Sequence, residues 1–171
     1  MKIKLVKPSE ALKTKALDFK KEFFDNGEMT INGSELLDNM TSYDEWLKTV
    51  TDNMQVETVN PNWVITDTFF ATDDMDRIVG IIDLRYTLND FLKNFGNCGY
   101  SVRPSERRKG YATEMLSLVI KIAKNAGMLE MHLSVERDNI PSIKTITKNG
   151  GIYERSFEFE GNQIYMYKII G

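Results

Sequence analysis

Arg103, Arg107, Arg108 and Lys109 fall within seven positions and run into Gly110, Tyr111 and Ala112. This is the densest basic cluster in a chain of 171 residues whose net charge is −3. It lies where a strand-like stretch, 98–102, closes at Pro104 and a helical repeat begins. The first N–H groups of a helix lack internal partners, and the dipole leaves that end partly positive, so a phosphate placed there gains charge-assisted hydrogen bonds. Gly110 lets the backbone approach closely, Ala112 removes a further obstruction, and the guanidiniums add forked contacts. A pyrophosphate fits this chemistry. Neither G-x-G-x-x-G after a strand nor G-x-x-x-x-G-K-[ST] occurs, so the dinucleotide and P-loop patterns are excluded.

The flanking segments must position this loop. A strand near residues 3–7 leads past Pro8-Ser9 to a helix through about Asp25, with Leu12, Ala16, Phe19 and Phe23 on one face. Ser42 caps a second helix carrying Trp46, Leu47 and Val50; Trp46 is expected in the core, with a substrate-pocket wall as the alternative, and 32–40 is ambiguous. The period then changes to two, and 63–71 and 77–86 read as a hairpin across 72–76. Leu88, Phe91, Leu92 and Phe95 follow helical spacing and predict a short helix. After the basic loop, Met115, Leu118, Val119, Ile122 and Ala126 predict a helix stripe ending at Gly127. Met131, Leu133 and Val135 alternate as a strand, Asn139 caps a helix with Pro141 in its first turn, and 152–158 with 163–169 form a last hairpin. The order predicts a single domain over 1–171, of α/β (α+β) class, with a mixed, mostly antiparallel sheet in one layer and helices on both faces.

Residues 107–112, R-x-x-G-x-A, resemble the pyrophosphate motif of the GNAT superfamily of acetyl-CoA-dependent N-acetyltransferases. The resemblance extends over about 78–170. It takes in Tyr100-Ser101-Val102-Arg103-Pro104 before the motif, the segment Val135 to Ser142 with its Asn139, and Lys148-Asn149-Gly150. Ile82-Asp83-Leu84-Arg85-Tyr86-Thr87-Leu88-Asn89 is similar to a bacterial branch of predicted GNAT acetyltransferases. The resemblance implies acetyl-CoA as the cofactor, with Val102 presenting backbone groups to the pantetheine arm where its strand splays from 131–135. Arg107, Arg108, Lys109, Gly110, Tyr111, Ala112 and Thr113 would hold the pyrophosphate. Asn139 and Ser142 would meet the pantetheine or the acyl end, and Asn139 as a simple helix cap is the plainer role. Arg103 or Lys109 would add recognition of the ribose phosphate.

Many members carry a tyrosine seven residues after this asparagine as the acid for the departing thiolate; here that position is Ile146. Tyr100 is the candidate substitute, with Tyr111 and Tyr153 also open. Deprotonating the acceptor is harder: an ammonium of pKa near 10.4 is neutral in about one molecule in a few thousand at pH 7, equivalent to ~4.6 kcal/mol. Asp83 and Glu136 are the candidate bases, each with structural ion pairing as the alternative, and Arg85 is placed to pair with Asp83 or to bind a substrate carboxylate.

His132, the single histidine, is expected to be structural, and Cys98 to pack rather than carry an acyl group. No clustered metal ligands occur, and Asp73, Asp74 and Asp76 lack a calcium-loop pattern. One cysteine, no signal-like apolar start and no spanning run imply a cytoplasmic protein without membrane partners. The acidic balance argues against nucleic acid. The expected activity is direct transfer, in a ternary complex, to a small-molecule or peptide amine by a monomer or homodimer. The alternatives are a non-catalytic acyl-CoA-binding or sensing module and an interaction domain whose basic loop binds another polyanion.

Overall fold

Alternation in the second and third strands organises the molecule. The computed structural model describes residues 2–171. In chain order its elements are β1 (Lys4–Val6), α1 (Lys13–Asp25), α2 (Tyr43–Asp52), β2 (Thr66–Thr72), β3 (Ile78–Arg85), β4 (Tyr100–Val102), α3 (Tyr111–Asn125), β5 (Glu130–Glu136), α4 (Ile140–Lys148), β6 (Ile152–Phe159) and β7 (Asn162–Ile170). Successive strand side chains point to opposite faces, so β2 and β3 feed two cores. Phe70, Ile78 and Ile81 pack with Ala16, Phe19, Phe23, Trp46 and Val50 of α1 and α2. Phe69, Ala71, Val79, Ile82 and Leu84 pack with Met115, Leu116, Val119 and Ala123 of α3 and Ile146 of α4. Helices therefore cover both faces, as expected, and Trp46 is fully enclosed in the first core.

The strands form two sheets, not one layer, in the orders β1-β2-β3-β4 and β5-β7-β6. All strand pairings among the described residues are antiparallel, in keeping with the expected α/β fold on a mostly antiparallel sheet. The sheets meet at the bridge between Gly96 and Leu133. Just beyond it, the Asn97 N–H donates to the His132 carbonyl at 2.6 Å and the His132 N–H donates to Asn97 Oδ1 at 2.8 Å. A side chain has replaced a backbone partner there, and β4 diverges from β5.

Two local expectations change. No helix forms over 87–95; residues 90–95 are consecutive turns, with bonds from Leu92 and Lys93 to the Asn89 carbonyl and from Phe95 and Gly96 to that of Leu92. Their apolar spacing serves separate tasks: Leu92 is buried, while Phe91 stays exposed and stacks between Trp63 and Phe95. In α3 the buried stripe is Met115, Leu116, Val119 and Ala123, and Ala126 is exposed. Both capping expectations hold. Ser42 Oγ accepts from Glu45 N at 3.3 Å, and Asn139 Oδ1 accepts from Ser142 N at 3.3 Å.

Candidate active site

The splay of β4 from β5 opens a groove of about 1080 Å³. One end is the start of α3. Gly110 is the residue before its first turn and adopts φ +85°, a left-handed conformation natural to glycine. The first intrahelical bond runs from Glu114 N to Gly110 O, so the Tyr111, Ala112 and Thr113 N–H groups come before the ladder begins and can serve an anion. Val102, Arg107, Arg108, Gly110, Tyr111, Ala112, Thr113, Asn139 and Ser142 all line this groove. Lys109 does not; its ammonium lies 2.8 Å from Glu106 Oε2.

The basic cluster divides in three dimensions. Arg107 points at the groove and is forked onto Glu28, Nη1 to Oε2 at 2.9 Å and Nη2 to Oε1 at 2.8 Å, with its guanidinium over the Phe23 ring. That fork holds the Glu28 carboxyl below the ordinary carboxylate range. Arg103 turns the other way. It is 2% exposed, donates from Nε to the Ile78 carbonyl at 2.8 Å, and pairs with Asp18 and Glu22 at 3.1 Å each. The expectation that Arg103 meets a ribose phosphate is therefore corrected: its charge is already compensated inside the protein.

Tyr100 and Glu136 line the groove, and Asp83 does not. Tyr100 on β4 reaches α4, its hydroxyl 2.7 Å from Ser142 Oγ, and burial pushes its pKa up, so it stays protonated and able to donate. Ile146, at the position of the usual acid, is buried. Glu136 ends β5 and is exposed. Asp83 is fully enclosed; Oδ1 accepts from Gly99 N at 2.7 Å and Oδ2 lies 3.4 Å from Arg85 Nη2, the pairing that their spacing predicts. Burial raises its pKa, against the pull of Arg85 and the Gly99 N–H. Cys98 is buried and its thiol is pushed up by burial, which suits packing and not nucleophilic attack. His132 sits between Glu130 (3.1 Å) and Glu154 (3.3 Å). Among the described residues there is no group able to hold a metal and no helix long and apolar enough to cross a membrane.

Sequence reasoning missed the segment between α1 and α2. Its Gly33 packs so closely on β4 that a Cβ there would lie 2.2 Å from the Gly99 carbonyl oxygen. It carries Glu28, which holds Arg107, and Glu35, whose Oε1 accepts from Trp63 Nε1 at 3.4 Å. Their polar character was visible, but their partners lie tens of residues away.

The chain matches the family described as "Acetyltransferase (GNAT) domain" over residues 13–152. It therefore belongs to the GNAT acetyltransferase family, and the acyltransferase class follows from that membership. No curated protein sequence matches it. Among solved structures, it is similar to a ribosomal alpha-N-protein acetyltransferase in complex with coenzyme A (TM-score 0.72, 15% identity, 98% of this chain and 93% of that one covered). It is also similar to a Salmonella typhimurium protein solved with its cofactor acetyl-CoA (TM-score 0.69, 13% identity, 98% and 93% covered). A third is a spermidine N-acetyltransferase chimera from Vibrio cholerae and hSSAT (TM-score 0.67, 14% identity, 99% and 96% covered). At these identities the likeness establishes the fold.

Proposed function

We propose that residues 1–171 act as one transferase domain that moves the acetyl group of acetyl-CoA to a primary amine, by direct attack in a ternary complex. The observation that carries this reading is one groove joining the α3 N-terminus to the Tyr100–Ser142 pair between the diverging strands. The first turn of α3 and Arg107 suit the pyrophosphate, with Arg108 alongside, and Lys109 contributes only long-range charge. Val102 and Asn139, on opposite banks, suit the pantetheine arm. Tyr100, oriented by Ser142, suits protonation of the departing thiolate, whose pKa of about 8.5 asks little of the acid. Bound acetyl-CoA supplies the activated carbonyl. The acceptor, a small-molecule or peptide amine, shares the same groove, which Arg85, Asn94, Phe95 and Phe157 also line.

A panel of amines including spermidine and short peptides, read out by release of free CoA, tests the reading. Turnover with at least one amine is expected. Acetyl-CoA binding without turnover of any amine would favour the sensing-module reading, and protection by ATP equal to that by acetyl-CoA would reduce the site to a generic anion cradle.

A further inference from the structure

Once the cofactor roles are assigned, part of the groove wall is left over, and it is aromatic. Phe95, Phe157 and Phe159 line the groove together with Ile164, Asn94 and Arg85. The sheet register brings them together. Phe157 on β6 is paired with Ile164 on β7, and Ile164 in turn with Glu136 on β5. Phe159 lies two residues further along β6 and so shares the face of Phe157. Ser134 Oγ donates to the Phe95 carbonyl at 2.9 Å, which ties the segment before the Gly96–Leu133 bridge to β5. The Phe95 ring meets Phe159 edge-on, with centroids 5.6 Å apart.

These rings are left open to solvent. Phe159 is 42% exposed, and the row continues from Phe95 to Phe91, at 5.4 Å and 65% exposed. Both hydrophobic cores close without them. An exposed apolar row along a groove marks a place where an apolar group is received. Charge narrows the choice of that group. Of the carboxylates on the groove wall, Glu28 is forked onto Arg107 and Glu106 is held by Arg77 and Lys109; only Glu136 has no ionic partner among the described residues. The aromatic side carries cations instead. Arg85 lines it, compensated by Asp83. The Arg155 guanidinium lies over the Phe157 ring at 5.1 Å and donates to Asn94 Oδ1 at 3.0 Å, with no carboxylate paired to it among the described residues.

We infer that the acceptor is a small primary amine carried on an aromatic body and bearing no second positive charge; this rests on the transferase reading above. Its ring lies against Phe95, Phe157 and Phe159 in the offset or edge-to-face contacts that aromatic groups favour. The nitrogen of the neutral amine bonds to the thioester carbonyl carbon, and the C–S bond breaks with its pair on sulfur. The proton lost by nitrogen balances the one gained by the thiolate, giving an acetamide and free CoA. A polyamine would instead bring further ammonium groups beside Arg85 and Arg155, where like charges repel.

The test compares phenethylamine, butylamine and spermidine, all primary alkylamines at the reacting end, by kcat/KM for CoA release. Phenethylamine should exceed butylamine by about ten- to a hundredfold, the gain expected for burying one ring, and spermidine by at least as much. Phe157→Ala should raise KM for phenethylamine about tenfold while kcat and the butylamine values change little, and Phe159→Ala, at the more exposed position, should do the same. Arg155→Glu should raise kcat/KM for spermidine several-fold more than for butylamine. Acetyl-CoA affinity, measured by calorimetric titration, should be unchanged in all three variants and confirms that they are folded. Equal kcat/KM for phenethylamine and butylamine overturns the inference while transfer itself still stands. So does spermidine or an alanine-led tripeptide as the best acceptor, or slowing of all amines alike in the phenylalanine variants. Absence of transfer to every amine overturns the transferase reading, and this inference with it.

Discussion

Replacing Glu35 by glutamine should make the protein more stable above neutral pH, the opposite of the usual outcome for a partly buried residue. The ordinary carboxyl value is 4.5 and the folded protein raises it to about 7. A group whose folded pKa is raised binds its proton more tightly in the folded state. Its favourable contribution is complete below the unfolded value and is lost as pH climbs through the folded one. At about 1.4 kcal/mol per tenfold change in proton affinity, the loss between pH 4.5 and pH 8 is about 3 kcal/mol. That is a large part of the 5–15 kcal/mol typical of a whole domain. Glutamine keeps the shape, can still accept from Trp63 and carries no charge, so its stability lacks this loss. Urea unfolding at pH 5, 6, 7 and 8 measures the difference, with equal m-values confirming that the same surface unfolds. Asp83, raised by burial, tilts both curves the same way, so the share of Glu35 is the divergence between them. Parallel curves would refute the reasoning, because the carboxyl would then ionise folded as it does unfolded.

Gly110→Val forces a β-branched residue to φ +85° and should weaken acetyl-CoA binding at least tenfold while the fold survives; calorimetric titration of the folded variant checks this. Tyr100→Phe keeps the ring and loses the proton, so maximal rate should fall by about tenfold or more with acetyl-CoA affinity unchanged, measured by CoA release. Arg103→Met leaves Ile78, Asp18 and Glu22 without their donor, and should cost roughly 3 kcal/mol of stability in urea melts without a specific loss of cofactor affinity. Glu136→Gln, exposed at the end of β5, should leave the maximal rate within a few-fold, and a hundredfold loss would make Glu136 the base.

What the sequence made legible was local chemistry. Asn139 and Ser42 could be recognised as caps because a cap bonds within three residues, and both do. Gly110 could be placed at a helix start because basic residues, a glycine and an apolar repeat adjoin there. Arg103 was misread because its partners Asp18 and Glu22 are 85 and 81 residues away, so nothing near it distinguishes a compensated guanidinium from a free one. Glu35 escaped notice for the same reason: its electrostatic surroundings come from Trp63 and from Asp83 and Arg85 of β3, two segments distant in sequence. The residues 87–95 imitated a helix because Leu92 serves the core while Phe91 and Phe95 serve an aromatic row, and periodicity does not separate these tasks.

The division of β2 and β3 between two cores bears on how such a protein can change. Phe69 and Ile82 belong to the core under α3 and α4, whereas Phe70 and Ile81 belong to the one under α1 and α2. Substitutions in the two cores share few partners, so their energetic effects should nearly add. A lineage could then rebuild the α1–α2 side, where Glu35 resides, without disturbing the helix that begins at Gly110. Drift towards new acceptors is restrained chiefly where the two regions touch, at the backbone contact between Gly33 and Gly99, which admits no side chain on Gly33.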